Sequence, residues 1–312
     1  ALLLGCRLII VDNPGNFLSQ HELPEFQRML RKVRDDGVAV LYIGNHHQEV
    51  FKIADRTSLF YDGQIRKVFE RDEMTDRAIA PYIMEWQDQN QLPDLDFADG
   101  VLHFHHVHSG SLNGLQFVLH KGECLTLLDM DNRIADDILG LLTGGSACAR
   151  GRITLEHELY TPKRAARYLD EGVAVIPKDP VEHLLFPHRT YMENLTFLLD
   201  RKLGRSLIPG RIYRSIRDEY APLAGAAIDE TNILNLSLED QMSLIYYRVQ
   251  LLHPRVLICI QPLARGDMRC RRKTLSPIRE SLRQGTAGLI TTTNVSDTLE
   301  ISDRLMVVEG GV

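Results

Sequence analysis

Between residues 122 and 145 the chain reads GECLTLLDMDNRIADDILGLLTGG. Leu125 to Leu128 form an apolar run of strand type, and Ile134 to Leu142 place apolar residues three and four apart, as on one face of a helix. A strand that feeds a helix through a short loop is a phosphate-binding shape, because unpaired backbone N–H groups and the positive end of the helix dipole point at the anion. Here the loop and first helical turn carry Asp129, Asp131, Asp136 and Asp137, with no lysine and no loop glycine. Unit charges 4 Å apart interact by about 1 kcal/mol in water and about 4 kcal/mol near a protein surface, so several carboxylates would repel a polyphosphate. These residue types suit internal use instead. Asp131 or Asn132 is expected to cap the helix, with Asp136 and Asp137 in its first turn, where negative charge is favourable. A cation site is the other chemistry open to DMDN, but the stretch lacks a calcium loop's glycine and distal glutamate.

Histidines are the other candidates for chemistry. HFHHVH at 103–108 has the composition of a metal site. Strand alternation puts His103 and His105 on one face and His106 and His108 on the other, which divides the cluster and favours a surface strand. His46 and His47 are expected at a solvated helix start rather than as ligands. No Ser/His/Asp or Cys/His constellation for nucleophilic catalysis stands out.

These residues must be positioned by larger elements, and the chain repeats itself. RLIIVDNP at 7–14 matches RVLICIQP at 255–262, an offset of 248 residues. The same offset, without a gap, pairs Gly37 with Gly285, VAVLYI with TAGLIT, IADR at 53–56 with ISDR at 301–304, and Gly63 with Gly311. Each copy reads as strand, turn, helix, glycine stop, strand, helix and a short strand ending at glycine. In the first copy the helix is expected over Leu23–Arg34, with DDG at 35–37 as its stop. Apolar strands alternating with helices give an α/β fold with a mostly parallel buried sheet. Only the second copy has upstream strands (VLHFHHV, LQFVL, ECLTLL, RITL, VAVI) and a helical region over about 178–253; a polar stretch at 85–100 reads as a linker.

The bulk numbers fit a globular protein: 312 residues, 44% hydrophobic, 25% charged, net charge −6. They give no hint of nucleic-acid binding, and RCRRK at 269–273 is expected on a solvated helix face. No apolar run approaches the roughly 18–20 residues that span a bilayer, and ALLLGCRLIIV lacks the flanks of a signal peptide. The five cysteines have no Cys-x-x-Cys spacing, which fits reduced thiols, buried at Cys6, Cys124 and Cys259, in a cytoplasmic protein.

In their order, GEC with its strand, GVAVIPKDP at 172–180, MENLTFLL at 192–199, LSLEDQM at 236–242 and ADR…YDG at 54–63 resemble the ATP-binding subunit of bacterial sugar ABC importers, the ribose/galactose type with two cassettes in tandem. The resemblance implies a P-loop-NTPase-like cassette with a mostly parallel core sheet, an antiparallel β-subdomain and a helical subdomain. It implies that residues 1–92 are the C-terminal half of a first cassette, 93–99 a linker and 100–312 a second cassette. It also implies a phosphate loop whose first glycine falls on Asp129, whose last falls on Ile134, whose lysine falls on Ala135 and whose hydroxyl falls on Asp136. The signature glycines fall on Leu238 and Glu239, with Ser237 and Gln241 kept. The metal-linked Asp and catalytic Glu fall on Ile260 and Gln261 in the second copy, and on Asp12 and Asn13 in the first. The switch histidine falls on Asn45 and around Thr293, and Asp267 stands at the position of the family's D-loop aspartate.

Ser237, Gln241 and Asp267 are kept, but of the catalytic positions only Asp12 keeps the family's chemistry, so the expectation is a degenerate, non-hydrolysing cassette with a structural or regulatory role and no cofactor. The alternative is an active importer subunit that binds Mg-ATP through a phosphate loop outside this chain. Expected partners are membrane permease subunits, docking on about 178–235 near HLLFP, or another cassette. Because residues 1–92 open on a core-type strand, either a removed N-terminal segment or pairing between chains, as in a homo-oligomer, is expected; nucleic acid and membrane insertion are not. The expected location is the cytoplasm, peripheral at the inner face of the cell membrane. Fold alone does not fix function, so the site must decide.

Overall fold

Strand-type runs alternating with amphipathic segments become parallel α/β layers in the computed structural model, which describes residues 5–61, 63–83, 100–204, 207–264, 268–294 and 298–312. The linker at 93–99 and Asp267 lie outside the described residues. The chain divides into two compact units, Ala1–Gln91 with Met130–Asn132, and Leu92–Asp129 with Arg133–Val312.

The first unit runs β1 (Leu8–Asp12), α1 (Glu22–Asp35), β2 (Ala39–Ile43), α2 (His47–Ile53), β3 (Arg56–Tyr61), β4 (Gln64–Glu70) and α3 (Asp76–Ile83). β1 and β2 pair in parallel, while β3 and β4 form an antiparallel hairpin. α1 buries Leu30 and Val33 and stops at Gly37, whose φ of 89° suits a residue without a side chain. A buried polar knot ties the unit together: Glu49 of α2 accepts the Tyr42 hydroxyl, and Gln27 of α1 donates to the Glu49 carbonyl at 3.3 Å.

The second unit begins with β5 (Gly100–Ser109), β6 (Leu112–His120), β7 (Cys124–Asp129), α4 (Ile134–Thr143), β8 (Arg150–Leu155), β9 (Glu158–Leu159), α5 (Pro162–Ala165) and β10 (Val173–Ile176). It continues with α6 (Pro180–Leu184), α7 (Tyr191–Leu195), α8 (Leu199–Leu203), α9 (Gly210–Ala224), α10 (Leu238–Leu252), β11 (Val256–Ile260), α11 (Met268–Arg283), β12 (Ala287–Thr292) and β13 (Arg304–Val308). Five parallel strands, in the order β10-β11-β12-β7-β13, make the core sheet, and an antiparallel sheet has the order β6-β5-β8-β9. One apolar cluster joins both sheets to α4, through Leu102, Phe104, Leu127, Ile138 and Ile258. α6 to α10 form the helical region, where α10 packs on α6, α7 and α11. This is the α/β cassette architecture that the sequence resemblance implies.

The offset of 248 residues recurs in the backbone. Leu8 pairs with Ala39 in the first copy and Val256 with Ala287 in the second. The Asn13 N–H donates to the Ile43 carbonyl at 2.9 Å, and the Gln261 N–H to the Thr291 carbonyl at 2.8 Å. Both Asn13 and Gln261 sit at φ 44°, and Gly285 repeats the left-handed turn of Gly37 at φ 92°. The copies differ in surroundings. β11 and β12 are buried throughout, flanked by β10 and β7, whereas Leu8, Ile10, Leu41 and Ile43 of the first copy are exposed. The helix expected after β12 has its start outside the described residues, and the part that is described is a turn.

The thiols follow their positions. Cys124 and Cys259 are buried, and desolvation pushes both well above the usual thiol range. Cys6 precedes β1 and is only half-buried, unlike its expected core position. The basic run lies on α11, where Arg271 pairs with Glu300 at 2.8 Å and Lys273 with Asp240 at 2.7 Å; the side chains at 269, 270 and 272 lie outside the described ones. Among the described residues no helix is long and apolar enough to cross a membrane.

Candidate functional site

The site is built where β7 ends and α4 begins. Glu123, fully buried just before β7, accepts the His120 N–H at 2.8 Å and lies 2.9 Å from Arg304. Burial pushes its carboxyl above the usual range, and the His120 N–H and Arg304 partly offset that shift. The strand then delivers Asp129 to the loop at 1% exposure. Its Oδ2 accepts the Arg133 N–H at 2.7 Å and the Ile134 N–H at 2.9 Å. Those are the N-cap and first N–H groups of α4, which lack partners within the helix. The cap is therefore Asp129, not Asp131 or Asn132. The chain turns through Asn132, at φ 55°, so a side chain upstream of the loop reaches the helix start. The N-cap residue itself, Arg133, makes no side-chain cap.

Asp137 is also used internally. Its Oδ2 accepts the Ser111 N–H at 2.7 Å and the Ser111 hydroxyl, tying α4 to the β5–β6 turn. Gly110 sits at φ 56° in that turn, and a Cβ there would lie 2.0 Å from Asp137 Oδ1, so the approach requires glycine. Asp136 is exposed in the first turn of α4, as expected. Ala135, where the resemblance puts the lysine, packs on the apolar cluster, and Ile134 is buried within it.

The remaining candidates are held by nearby partners. Asp12 Oδ1 accepts from Asn13 Nδ2 at 2.8 Å, and Asn13 Oδ1 accepts the Asn45 N–H at 3.0 Å, so these three come together. Ile260 and Gln261 are buried at the end of β11. Ser237 caps α10: its Oγ accepts the Asp240 N–H at 3.2 Å and donates to Asp240 Oδ2 at 2.8 Å. Gln241 Nε2 donates to the Leu236 carbonyl at 3.0 Å. Lys273 lies 3.4 Å from Glu239, where the resemblance puts the second glycine of the signature. Thr293 is buried.

The histidine run departs from strict alternation. A bulge between Phe104 and Val107, with His106 at φ 45°, returns Val107 to the core face. His103, His105, His106 and His108 consequently all stay out of the core. The rings of His103 and His105 stack at 5.5 Å, and His157 lies 5.9 Å from His103. Burial, then the Arg152 charge, lowers the His105 pKa. Among the described residues no group of three His, Cys, Asp or Glu side chains is placed to hold a metal. His47 is not simply solvated: its Nε2 lies 2.8 Å from Asp76 Oδ1. The Ser111 and Asp129 contacts had no signal in residue spacing, since both depend on how turns fold back.

Tested against a magnesium-bound nucleoside triphosphate, this donor set does not fit. Two N–H groups at the start of α4, those of Arg133 and Ile134, are taken by Asp129, the residue where the resemblance puts the lysine is an alanine on the core, and the strand end offers Ile260 and Gln261 to a cation.

No family model matches the chain. The ribose import ATP-binding protein RbsA of Burkholderia pseudomallei (strain K96243) is 24% identical over 98% of this chain and 60% of its own length. That of Jannaschia sp. (strain CCS1) is 24% identical over 100% of this chain and 62% of its own. The chain thus spans about three fifths of the length of the curated relatives it matches. Among solved structures, an ATP-binding cassette of an ABC transporter in its ADP conformation matches with a TM-score of 0.58 at 17% identity, over 69% of this chain and 89% of that one. CbiO1 of Clostridium perfringens, part of an ABC transporter complex, matches with a TM-score of 0.56 at 18% identity, over 68% and 86%. With the parallel core sheet, antiparallel sheet and helical region in place, these likenesses make the chain a relative of the ribose import ATP-binding proteins, built on the ABC-transporter cassette fold.

Proposed function

We propose that this chain is a non-hydrolysing cassette of the sugar-import type, with a structural or regulatory role in place of ATP turnover. The observation that carries the reading is the Asp129 carboxylate. It accepts the two N–H groups that open α4, at the position where the resemblance puts the first glycine of a phosphate loop. A carboxylate of the chain itself thus supplies the negative charge that the helix N-terminus favours. Ala135 supplies no compensating cation, and Gln261 cannot accept a proton from an attacking water. Neutralising Asp129, Asp136 and Asp137 together is expected to leave phosphate release at the buffer rate, because lysine and loop glycines are still missing. Mg-ATP-dependent turnover by that triple variant would refute the reading.

A second reading, an active importer subunit, rests on Asp12, which stands at the end of β1 with its carboxylate bonded to Asn13. It requires a phosphate loop from outside this chain, and Asn13 again provides an amide in the base position. In either reading the site of action is the cytoplasmic face of a membrane, beside permease subunits. The helical region is the proposed contact, where the rings of Phe186 and Phe197 meet at 4.4 Å and both stay exposed. Arg248 and Asn194 brace that corner: Arg248 donates to the Leu184 and Asn194 carbonyls at 2.7 Å each, and Asn194 Oδ1 accepts the Phe186 N–H at 2.9 Å.

A further inference from the structure

Four cations, Arg28, Arg31, Lys52 and Arg71, line an open groove of about 790 Å³ within the first unit. Arg28 and Arg31 lie about one turn apart on α1, Lys52 lies in the last turn of α2, and Arg71 begins the short 3-10 turn Arg71–Glu73 after β4. None of the four is ion-paired among the described residues. Two other cations of the unit are ion-paired, Arg34 with Asp55 at 2.8 Å and Lys67 with Glu73 at 3.2 Å. The carboxylate that lines the groove, Asp76, is engaged by His47 at 2.8 Å. Glu49, the acidic residue of α2, is buried and bonded to Tyr42; it feels the Lys52 charge but makes no ion pair with it among the described residues.

Helix capping explains part of this arrangement. Arg31 donates to the Lys52 carbonyl, and Arg71 donates to the Phe51 and Ala54 carbonyls at 2.6 and 2.8 Å, where the end of α2 leaves carbonyls unpaired. Those carbonyls carry only the partial charge of a helix end, so two full positive charges are not balanced by them. Arg28 and the Lys52 ammonium have no hydrogen-bond or ion-pair partner among the described residues. Phe51 and Met74 add half-buried apolar surface between the cations.

We propose that this groove docks an acidic segment of a partner protein, with carboxylates on the four cations and an apolar side chain on Phe51 and Met74. Guanidinium forks suit carboxylates in this way, and a cationic surface left unpaired selects a partner of opposite charge. Small-molecule sites bury roughly 70–90% of their ligand. All four cations are exposed here, so a small ligand would stay largely wet, whereas an extended segment can follow the open groove.

The test is fluorescence anisotropy with labelled peptide GEEFEEG on the whole chain, with GKKFKKG as the control. The acidic peptide is expected to bind, the basic one not, and raising salt from 50 to 300 mM to weaken binding about tenfold by screening. Arg28→Glu with Lys52→Glu, folding verified by circular dichroism, is expected to weaken binding at least about tenfold. Lys32→Glu with Lys163→Glu changes net charge equally outside the groove and is expected to leave binding unchanged. Absence of binding at low salt, equal weakening by both double variants, or binding to phosphatidylglycerol vesicles without binding to the peptide would each overturn the proposal.

Discussion

Replacing Asp129 with alanine removes the carboxylate that holds the start of α4. Two backbone N–H groups, of Arg133 and Ile134, lose an acceptor at 2.7 and 2.9 Å, at a residue only 1% exposed. Loss of a helix cap costs about 0.5–2 kcal/mol, and leaving a buried donor unsatisfied costs about 1–3 kcal/mol. The two overlap, so we expect a loss of about 2–4 kcal/mol. For a domain of this size that lowers Tm by about 4–16 °C, at about 2–4 °C per kcal/mol. Asp129→Asn keeps one acceptor oxygen and should cost less than the alanine. Asp136→Ala, on the exposed side of the same turn, should shift Tm by less than the asparagine variant. The assay is thermal unfolding followed by circular dichroism on the three variants at one pH and salt concentration. If Asp129→Ala melts with the wild type, or Asp136→Ala costs as much, the cap is not the role of Asp129 and the internal-anion reading loses its basis.

Gly110→Ala puts a Cβ 2.0 Å from Asp137 Oδ1 at φ 56°, and is expected to destabilise by about 1–3 kcal/mol in urea unfolding; the double variant with Asp137→Ala should recover part of that loss. Burial raises the Glu49 pKa despite the Tyr42 hydrogen bond, so the unfolded chain gives up that proton at lower pH than the folded one. Its contribution to stability is therefore present below the ordinary carboxylate pKa and lost as pH rises through the raised folded value. Unfolding of wild type and Glu49→Gln across pH 4–7 should show the larger fall in the wild type. Phe186→Asp, with folding verified, should lower recovery of the native permease in a pull-down; equal recovery would remove that contact.

The sequence repeat was legible because strand composition and glycine stops survive in both copies, and the backbone reproduces it down to the paired left-handed turns at Asn13 and Gln261. The β7–α4 junction was legible for the same reason: an apolar run before a periodic one leaves little choice. The cap was not, since Asp129 precedes the loop and reaches the helix only after Asn132 turns the chain back. The faces of the histidines were misread because one bulged residue reverses strand alternation, and nothing in HFHHVH marks it. The Glu49 knot escaped notice because its partners, Gln27 and Tyr42, come from separate elements. Ala135 and Ile260 were the easiest positions to place, because apolar residues within apolar or periodic runs pack on the core.

The most direct test of the internal-anion account is the melting temperature of the unmodified chain across a millimolar Mg-ATP titration. A ligand that binds only the native state stabilises it by about 2.7 kcal/mol at a hundredfold excess over Kd, so a functional site would give a clear upward shift. The account predicts no shift at any concentration. A saturable, ATP-dependent rise that weakens on changing the charge at Asp136 would contradict it and support the active-subunit reading.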